Sequence, residues 1–491
     1  MKKITLRDLE AHIWEDANIL RGSINAWEFR HPIMAILFLK RLNDQFEEKV
    51  EKLEAQGIPK KEALKDFNHT FFVPRAARWD KLQEATTNIG TIINAACRAI
   101  EKENANLKGV FANINYADHQ KYPDDKLGSL ITHFDKFRLR NSDFEKEDIF
   151  GDAYEYLLEK FVDVARKQAG EFFTPREVVK LLVRIVKPQE GMRICDPTCG
   201  SGGMLIVSKR YVEKNGGDPQ KITLYGQESV LENLAMCKMN MVLHDIEDFE
   251  LEHGDVLADP KLFVSGRLDA YDRVLANFPF SMKKWPHQAE DTYGRFQFGT
   301  PPKSQADFAF IQHMFSQLHA KGQAAIICSH GVLSRKGAEK QIRKNMVDAD
   351  VVEGVIALPG KLFFGTQIGA CVLLLRKSKP RSKRKRTIFV DATRDKLMQP
   401  TRNKLRPEDI EKIVSAYDNF VDVERYCHVA DTSEIQGNDY ELSVPRYVDT
   451  SEPEEHIDIQ KTINELKELK KLRSGLEAKT WDDLRNLKFK A

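Results

Sequence analysis

A glycine-rich turn is the first place in the sequence where chemistry can be expected. Residues 192–205 read Met-Arg-Ile-Cys-Asp-Pro-Thr-Cys-Gly-Ser-Gly-Gly-Met-Leu, the pattern of a strand, a glycine turn and a helix. Glycines let a ligand approach the backbone closely, and the start of the following helix offers free N–H groups. The candidate ligand-binding residues of this turn are Asp196, Thr198, Cys199, Gly200, Ser201, Gly202 and Gly203.

A carboxylate at the end of the next predicted strand narrows the class of ligand. Glu228 closes the run Tyr-Gly-Gln-Glu, where it can accept hydrogen bonds from both hydroxyls of a ribose. The turn lacks the Gly-x-Gly-x-x-Gly spacing of pyrophosphate sites, and Asp196 would repel a pyrophosphate. The two motifs favour the cationic, phosphate-free nucleoside S-adenosylmethionine over NAD or FAD. The alternative is a turn that requires glycine only for its backbone conformation.

A second glycine-led segment, residues 170–177, precedes the first predicted strand. Thr174 is expected to cap a helix that Pro175 opens at its first position. Two adjacent aromatic residues before that cap are placed to close a cofactor pocket. The candidate cofactor-binding residues here are Glu171, Phe172, Phe173, Thr174, Pro175 and Arg176.

A third motif, Asn277-Phe278-Pro279-Phe280, follows the predicted strand Arg273–Ala276. It resembles the Asn-Pro-Pro-Phe/Tyr motif of amino-group DNA methyltransferases. With residues 170–176, residues 196–203, Glu228 and Asp255, it follows the motif order of the γ-type adenine-N6 enzymes. The stretch from Ile13 to Leu42 is similar to the helical domain of modification (M) subunits of type I restriction–modification systems, and this resemblance extends over nearly the whole chain.

The resemblance implies roles for these residues. The Asn277 side-chain oxygen and the Phe278 carbonyl would accept the hydrogens of the adenine amine, and Phe280 would stack on a base flipped out of the duplex. Asn277, Phe278, Pro279 and Phe280 are thus the candidate catalytic residues, and Asp255 joins the cofactor-binding set. Transfer would be direct and in line, without a covalent enzyme intermediate. Phe278 departs from the usual Pro, which removes one constraint on φ from this segment.

The family also implies cofactor and partners. These are S-adenosylmethionine, adenine in double-stranded DNA, a specificity subunit that reads the sequence with two M chains per specificity chain, and an endonuclease subunit that can join the complex. No metal is implied.

Glycine spacing and hydrophobic periodicity predict how the chain positions these motifs. Helical periodicity predicts a helical N-terminal domain over residues 1–165. Short apolar runs alternating with amphipathic stretches predict an α/β domain with a βαβ sheet over residues 166–395. The family resemblance implies that this is the methyltransferase catalytic domain with a Rossmann-like sheet. A helical extension, 396–450, and an amphipathic C-terminal helix, 451–491, follow. That last helix either folds back on its own domain or docks a partner.

Seven apolar runs are the strand candidates: Met192–Cys195, Ile222–Tyr225, Arg273–Ala276, Ala324–Cys328, Val351–Ala357, Cys371–Leu375 and Ile388–Val390.

Two downstream segments carry weaker signals. Ser304 to Asp307 reads as a capping box for a helix whose apolar face ends at Leu318, and the family places an acidic cofactor-pocket residue near Asp307. Residues 358–365 resemble the segment that lends an aromatic ring to the target-base pocket. Core packing is an equal alternative for Phe363 and Phe364.

Basic residues cluster between the last two predicted strands. Residues 376–386 hold eight cations, so they are either a loop that contacts DNA phosphates or a solvated hairpin tip. Lys283-Lys284-Trp285, just after the third motif, could also contact the DNA backbone.

Composition excludes several classes of protein. The 491 residues carry a net charge of +2 and 42% hydrophobic residues, which indicates a folded chain with two or three domains. No apolar run reaches the ~20 residues of a membrane span, and the charged N-terminus predicts a cytoplasmic protein. Two other functions remain open: a methyltransferase acting on a glutamine side chain of a protein, and a non-enzymatic scaffold disabled by Phe278. The DNA target cannot be read from this chain.

Overall fold

The computed structural model describes residues 3–19, 30–145, 149–165, 173–287, 291–363, 369–400, 402–451 and 459–487. Glu171, Phe172 and Phe364 therefore lie outside the described residues. The chain forms two compact units, Met1–Val448 and Asp449–Ala491.

Helices make up most of the regular structure before residue 166, as periodicity predicts. They are α1 (Leu6–Ile19), α2 (Arg30–Ala55), α3 (Lys60–Ala63), α4 (Trp79–Gln83), α5 (Ile89–Glu103), α6 (Asp124–Phe134) and α7 (Ile149–Ala165). Ile33, Leu37 and Phe38 of α2 are fully buried in a core that these helices share. Met236 and Met239, from a later helix, belong to the same core, so the N-terminal helices pack directly against the region that follows.

A mixed sheet forms the centre of the larger unit. Its strands are β1 (Arg193–Asp196), β2 (Thr223–Glu228), β3 (Phe249–His253), β6 (Tyr271–Asn277), β7 (Leu318–Ser329), β8 (Val352–Ala357), β9 (Ala370–Arg376), β10 (Arg386–Asp391) and β11 (Cys427–Asp431), and a separate hairpin comprises β4 (Phe263–Val264) and β5 (Arg267–Leu268). The sheet order is β11-β10-β8-β9-β7-β6-β1-β2-β3. Only β9 and β11 run antiparallel to their neighbours.

Further helices pack along the sheet. They are α8 (Arg176–Val186), α9 (Gly203–Lys214), α10 (Leu231–Leu243), α11 (Asp307–Ser316), α12 (Gly331–Ser334), α13 (Ala338–Asp348), α14 (Pro407–Asn419) and α15 (Thr432–Gly437). Alternate residues of β6 and β7 enter two different cores, with Leu275 and Ile327 in one and Val274 and Ile326 in the other. This alternation is the period of a strand covered on both faces, and it confirms the α/β fold class.

All seven predicted strands are present; in the main sheet β3 and β11 are additional, and the separate hairpin β4–β5 was not predicted either. The sequence of β3, Phe-Glu-Leu-Glu-His, alternates with charged residues because β3 lies at a sheet edge, so it lacks the apolar run of a central strand.

The C-terminal unit contains α16 (Ile459–Asn486), as periodicity predicts. Its apolar positions, including Ile463, Leu466 and Leu472, are exposed. The domain boundaries and the docking role of this helix stay predictions. Within the described ranges, no helix combines the length and hydropathy that crossing a bilayer requires.

Candidate active site

The carboxyl ends of the parallel strands bring the three predicted motifs together on one side of the sheet. Asp196 ends β1, Glu228 ends β2 and Asn277 ends β6, while Asp255 lies two residues beyond β3. The pairings β1–β2, β1–β6 and β2–β3 are all parallel, so these strand ends lie side by side. Open α/β sheets bind their ligands at this carboxyl edge.

The three glycines of the turn meet different structural requirements. Gly200 and Gly202 have φ angles of 52° and 81°, in the left-handed region that favours glycine. A Cβ atom at Gly202 would also lie 2.7 Å from Cys237 Sγ. At Gly203 an added Cβ would meet no atom within 4 Å, and this residue lines a cavity. The turn therefore presents bare backbone to that cavity.

The Glu228 carboxylate is held by backbone donors. The Gly200 N–H donates to its Oε2 at 3.0 Å and the Val230 N–H donates to its Oε1 at 2.9 Å. An ionised carboxylate offers about four acceptor positions. Ser229 Oγ donates to Oε1 at 3.4 Å and occupies a third position. One acceptor position thus remains, and the binding of both ribose hydroxyls by Glu228 stays a prediction.

Asp196 is a buried acid whose protonation state is sensitive to a nearby cation. Burial raises the pKa of Asp196 to about 8; the hydrogen bonds from Thr198 oppose that rise, and the charge of Glu228 adds to it. The Thr198 N–H donates to Asp196 Oδ1 at 3.0 Å. A cationic ligand would favour the ionised carboxylate and so lower this pKa.

Asn277 is anchored through both its side chain and its backbone. Its Nδ2 donates to Thr174 Oγ1 at 3.0 Å, and Thr198 Oγ1 donates to its carbonyl at 3.3 Å. No donor from the described residues is bonded to Asn277 Oδ1. The prediction that Thr174 caps α8 is wrong: the helix begins at Arg176 with Pro175 as its N-cap and no side-chain cap, because the Thr174 hydroxyl instead binds Asn277.

Two cavities, one smaller than the other, meet at Thr198 and Asn277. Of the predicted residues, the smaller is lined by Phe173, Thr174, Arg176, Asp196, Thr198, Cys199, Gly200, Ser201, Gly203 and Asn277. The larger is lined by Thr198, Glu228, Asp255, Asn277 and Pro279. Pro175, Gly202, Phe278 and Phe280 line neither cavity.

Aromatic packing supports the segment after Asn277. Phe278 is buried, and its ring stacks on Phe310 at 4.9 Å with an interplanar angle of 15°. The half-buried ring of Phe280 lies edge-on to Phe278 at 6.0 Å and to Phe363 at 6.3 Å. Phe363 is itself buried in the core, which supports core packing, and its place in a target-base pocket stays a prediction. Stacking of Phe280 on a base stays a prediction.

The predicted capping box is wrong. Helix α11 begins at Asp307 with Ala306 as its N-cap and ends at Ser316, so Leu318 belongs to β7 and not to the helix. Asp307 does not line either cavity. Its carboxylate accepts hydrogen bonds from the Ser281 N–H and from Arg335.

The N-terminal helices contribute residues to the site that the sequence did not reveal. Glu155 of α7 lines the smaller cavity, and its Oε2 lies 2.8 Å from Arg176 Nε. Burial raises its pKa, but the hydrogen bond from His244 and the charge of Arg176 outweigh burial and lower it to about 2. Arg30 of α2 lines the larger cavity. No motif or spacing marks either residue, since each lies within an ordinary helical pattern.

The basic segment lies at the other end of the strands, beside the amino ends of the parallel strands. Because β9 is antiparallel to β7, its end at Arg376 lies beside the start of the parallel strands, away from Asn277. Arg376 and Lys383 both pair with the buried Glu353, and Lys379 pairs with Asp350. These pairs account for three of the eight cations. The other five, Lys377, Arg381, Arg384, Lys385 and Arg386, are exposed, so phosphate contact and a solvated tip both stay predictions for this segment.

The segment Lys283-Lys284-Trp285 is placed differently. Both lysines are exposed, whereas the half-buried Trp285 donates from Nε1 to the Pro302 carbonyl at 3.2 Å. The lysines follow the Asn277 segment directly in the chain, so their contact with DNA backbone stays a prediction.

One group of metal-binding side chain types occurs among the described residues, at His12, Glu15 and His133. The two imidazole rings are stacked, with centroids 4.2 Å apart and planes at 22°. One metal ion cannot lie in two nearly parallel ring planes, so this cluster is better explained as packing between α1 and α6.

Comparison with known proteins agrees with this geometry. The N-6 DNA Methylase family matches residues 145–456, and the HsdM N-terminal domain matches residues 9–134. The chain is 31% identical to the type I restriction enzyme MjaVII methylase subunit of Methanocaldococcus jannaschii, over 96% of this chain and 82% of that protein. It is 32% identical to the HindI methylase subunit of Haemophilus influenzae, over 78% of this chain and 91% of that protein.

A solved structure shows the same fold. The type I restriction–modification methyltransferase subunit from Streptococcus thermophilus superposes with a TM-score of 0.79 at 27% identity, covering 91% of this chain and all of that one. Family matches, relatives and this structure coincide over the helical region and the sheet. The chain therefore belongs to the N-6 DNA methylase family, the adenine-N6 DNA methyltransferases, among the methylase subunits of type I restriction enzymes.

Proposed function

We propose that this methylase subunit transfers the methyl group of S-adenosylmethionine to N6 of adenine in double-stranded DNA. A separate specificity subunit would choose the sequence, with two methylase subunits per specificity subunit, and an endonuclease subunit would join the restriction complex. The observation that carries the proposal is the position of Asn277, which lines both cavities and has its acceptor oxygen unbonded among the described residues.

The residues around the two cavities fit S-adenosylmethionine. Glu228 retains one acceptor position for a ribose hydroxyl, and Gly203 leaves open space where a side chain would project. Glu155 and Asp196 line the smaller cavity and provide carboxylates for the cationic methionine end, while Arg176 provides a guanidinium for its carboxylate. The bound cofactor supplies an electrophilic methyl group on a sulfonium sulfur.

The Asn277 segment fits the acceptor base. Asn277 Oδ1 and the Phe278 carbonyl would accept the two N6 hydrogens, which directs the nitrogen lone pair toward the methyl carbon. As N6 took the methyl group from the sulfonium sulfur, it would lose one proton, which would pass to water. Flipping the base costs a few kcal/mol, and one aromatic stack returns ~1–3 kcal/mol, so most of the sequence-specific affinity must come from the partner subunit.

Methylation mapping in cells tests the proposal. Cells would express the chain with the genes that neighbour its own, either as wild type or as Asn277→Ala, and N6-methyladenine would be mapped by long-read sequencing. Asn345→Ala is a matched control. Asn345 is a half-buried asparagine of α13 that lines neither cavity, and its side chain donates to the Phe298 carbonyl at 2.8 Å.

We expect methylation at a two-part motif in wild type and in Asn345→Ala, and none in Asn277→Ala. By analogy with oxyanion-hole donors, loss of the Asn277 acceptor should cost about 2.7–4 kcal/mol, a rate loss of about 100- to 1000-fold. Equal methylation in Asn277→Ala would contradict the assigned role of that residue. Absence of methylation in all three strains, with soluble protein present, would favour a scaffold or a protein glutamine acceptor.

A further inference from the structure

A buried ion pair lies directly behind the segment 277–280. Asp307, the first residue of α11, is fully buried, and its Oδ2 lies 2.8 Å from Arg335 Nη1. Arg335 follows α12 and is about one quarter exposed, with 28% of its side chain accessible. Neither residue lines either of the two cavities at Asn277, so a role in cofactor contact there does not account for the pair.

Both members of the pair bind Ser281, the residue that follows the segment. The Ser281 N–H donates to Asp307 Oδ1 at 2.7 Å, and Arg335 Nη2 donates to Ser281 Oγ at 3.2 Å. Ser281 has a φ of 55°, a left-handed conformation that is uncommon for a residue other than glycine. Its backbone and side chain are therefore held together in a conformation that the residue does not favour by itself.

The guanidinium of Arg335 has little freedom to move. It also donates to Glu339 Oε1 at 3.1 Å and to Ser329 Oγ at 3.2 Å. A Cβ atom at Gly331 would lie 2.6 Å from Arg335 Nε, so glycine at that position lets the guanidinium approach. Through Asp307 and Arg335, Ser281 is thus connected to α11, to α13 and to the end of β7.

The other end of the segment is held by different groups. Thr174 and Thr198 bind Asn277, and Phe278 stacks on Phe310. Because residue 278 is not proline, its φ is not locked by a ring. Pro279 locks its own φ, so the φ of Phe278 is the torsion that proline no longer fixes, and the contacts at Ser281 restrain the chain on its far side.

We propose that Asp307 and Arg335 are positioning residues that hold Ser281, and through it the segment Asn277–Phe280, in the geometry that receives the target base. This inference rests on the proposed adenine-N6 transfer. It predicts that loss of the pair slows the methyl-transfer step while cofactor binding is unchanged, because the cofactor-binding residues are held by other contacts.

Three substitutions test the pair in the complex of the full chain with its specificity subunit. Asp307→Asn removes the charge, Arg335→Gln removes the guanidinium, and Arg335→Lys keeps the charge but cannot reach all the partners at once. Glu353→Gln is a matched control: Glu353 is also a fully buried carboxylate paired with an arginine, Arg376, at 2.6 Å, but it lies at the other end of the strands.

The measurements are kcat on DNA carrying the mapped site, the Kd of S-adenosylhomocysteine by calorimetry, and Tm. A displacement of about 1 Å in a reacting group lowers rates by ~100-fold. We expect Asp307→Asn and Arg335→Gln to lower kcat by about tenfold or more with Kd within about twofold of wild type. Arg335→Lys should give an intermediate kcat. Glu353→Gln should lower Tm but leave kcat within about twofold.

Two results would overturn the inference. One is a kcat within twofold of wild type in both Asp307→Asn and Arg335→Gln. The other is a loss of kcat in these variants that is matched by a parallel loss of cofactor affinity, as expected from a general defect in the fold. Failure of the proposed function is distinguishable, because wild type itself would then not methylate adenine, or Asn277→Ala would methylate it normally.

Discussion

Asp196 should couple binding of the S-adenosyl cofactor to pH. Its carboxyl is buried beside Glu228 and has a pKa of about 8, so it is mostly protonated at neutral pH in the free protein. A cation bound in the same cavity would favour the ionised form. Binding should then release a proton, and Asp196→Asn should abolish that release.

The magnitude follows from the pKa. With a pKa of about 8, roughly one Asp196 carboxyl in eleven is ionised at pH 7. If the cofactor binds the ionised form, its affinity falls about tenfold for each pH unit below 8, which is about 1.4 kcal/mol per unit. Close to one proton should be released per cofactor bound at pH 7.

Isothermal titration calorimetry can measure both quantities. Kd would be determined between about pH 6 and pH 7.5, in pairs of buffers with different ionisation enthalpies that report the protons released. The α-amino group of the cofactor itself titrates near pH 7.7–8.0, so only the difference between wild type and Asp196→Asn reports the carboxyl.

A wild-type Kd that does not change over this range would refute the reasoning, as would proton release that is equal in Asp196→Asn. Either result would mean that Asp196 does not change its protonation state when the cofactor binds. The acid would then be either ionised in both states or protonated in both states, and it would not couple binding to pH.

Three further predictions each concern one position, and a fourth compares two neighbouring glycines. Glu155→Gln should weaken binding of S-adenosylhomocysteine about tenfold in calorimetry, because it removes a buried charge from the smaller cavity and frees its arginine partner. Gly202→Ala should lower Tm, because alanine at a φ of 81° costs about 1–2 kcal/mol before any steric clash, whereas Gly203→Ala should keep Tm and weaken cofactor binding. Phe278→Ala should destabilise the fold by about 3–5 kcal/mol, measured by urea unfolding, because it deletes a buried ring. Asp196→Asn should raise Tm at pH 8 more than at pH 5: burial raises the pKa of this acid, so wild type loses stability as pH rises from about 4 toward 8.

The elements that the sequence predicted correctly are those with local signals. The glycine turn at Gly200–Gly203 requires positive φ, and an apolar run of strand length such as Ala324–Cys328 is buried whichever strand lies beside it. The edge strand β3 has no such run, and it was not predicted. Whether a strand could be predicted from the sequence thus depended on how deeply its residues are buried.

The incorrect predictions concern polar partners. Thr174 and Asp307 both carry the sequence pattern of helix capping, but Thr174 binds Asn277, 103 residues away, and Asp307 binds Ser281 and Arg335, 26 and 28 residues away. A hydroxyl or carboxylate satisfies its hydrogen bonds with whichever donor or acceptor the fold brings near. Local spacing therefore cannot choose between a cap and a distant partner.

The direction of one strand decides where the basic segment lies. The composition of residues 376–386 is that of a surface that contacts phosphate, yet β9 runs antiparallel and carries this segment to the amino ends of the parallel strands, away from Asn277. Lys379 and Lys383 then turn inward to acidic partners. Neither the direction of β9 nor these pairs can be read from charge alone.

The sequence by itself determined the type of chemistry and the fold class, because the glycine turn, the carboxylate at Glu228 and the Asn277 tetrapeptide are short motifs whose residue types limit what they can bind. Only the tertiary structure decided that Glu155 and Arg30 of the N-terminal helices line the cavities, and that Asp307 and Arg335 bind Ser281 rather than the cofactor pocket. These assignments depend on side chains from distant parts of the chain meeting in space, and burial and hydrogen-bond satisfaction decide such meetings only once the whole chain has packed.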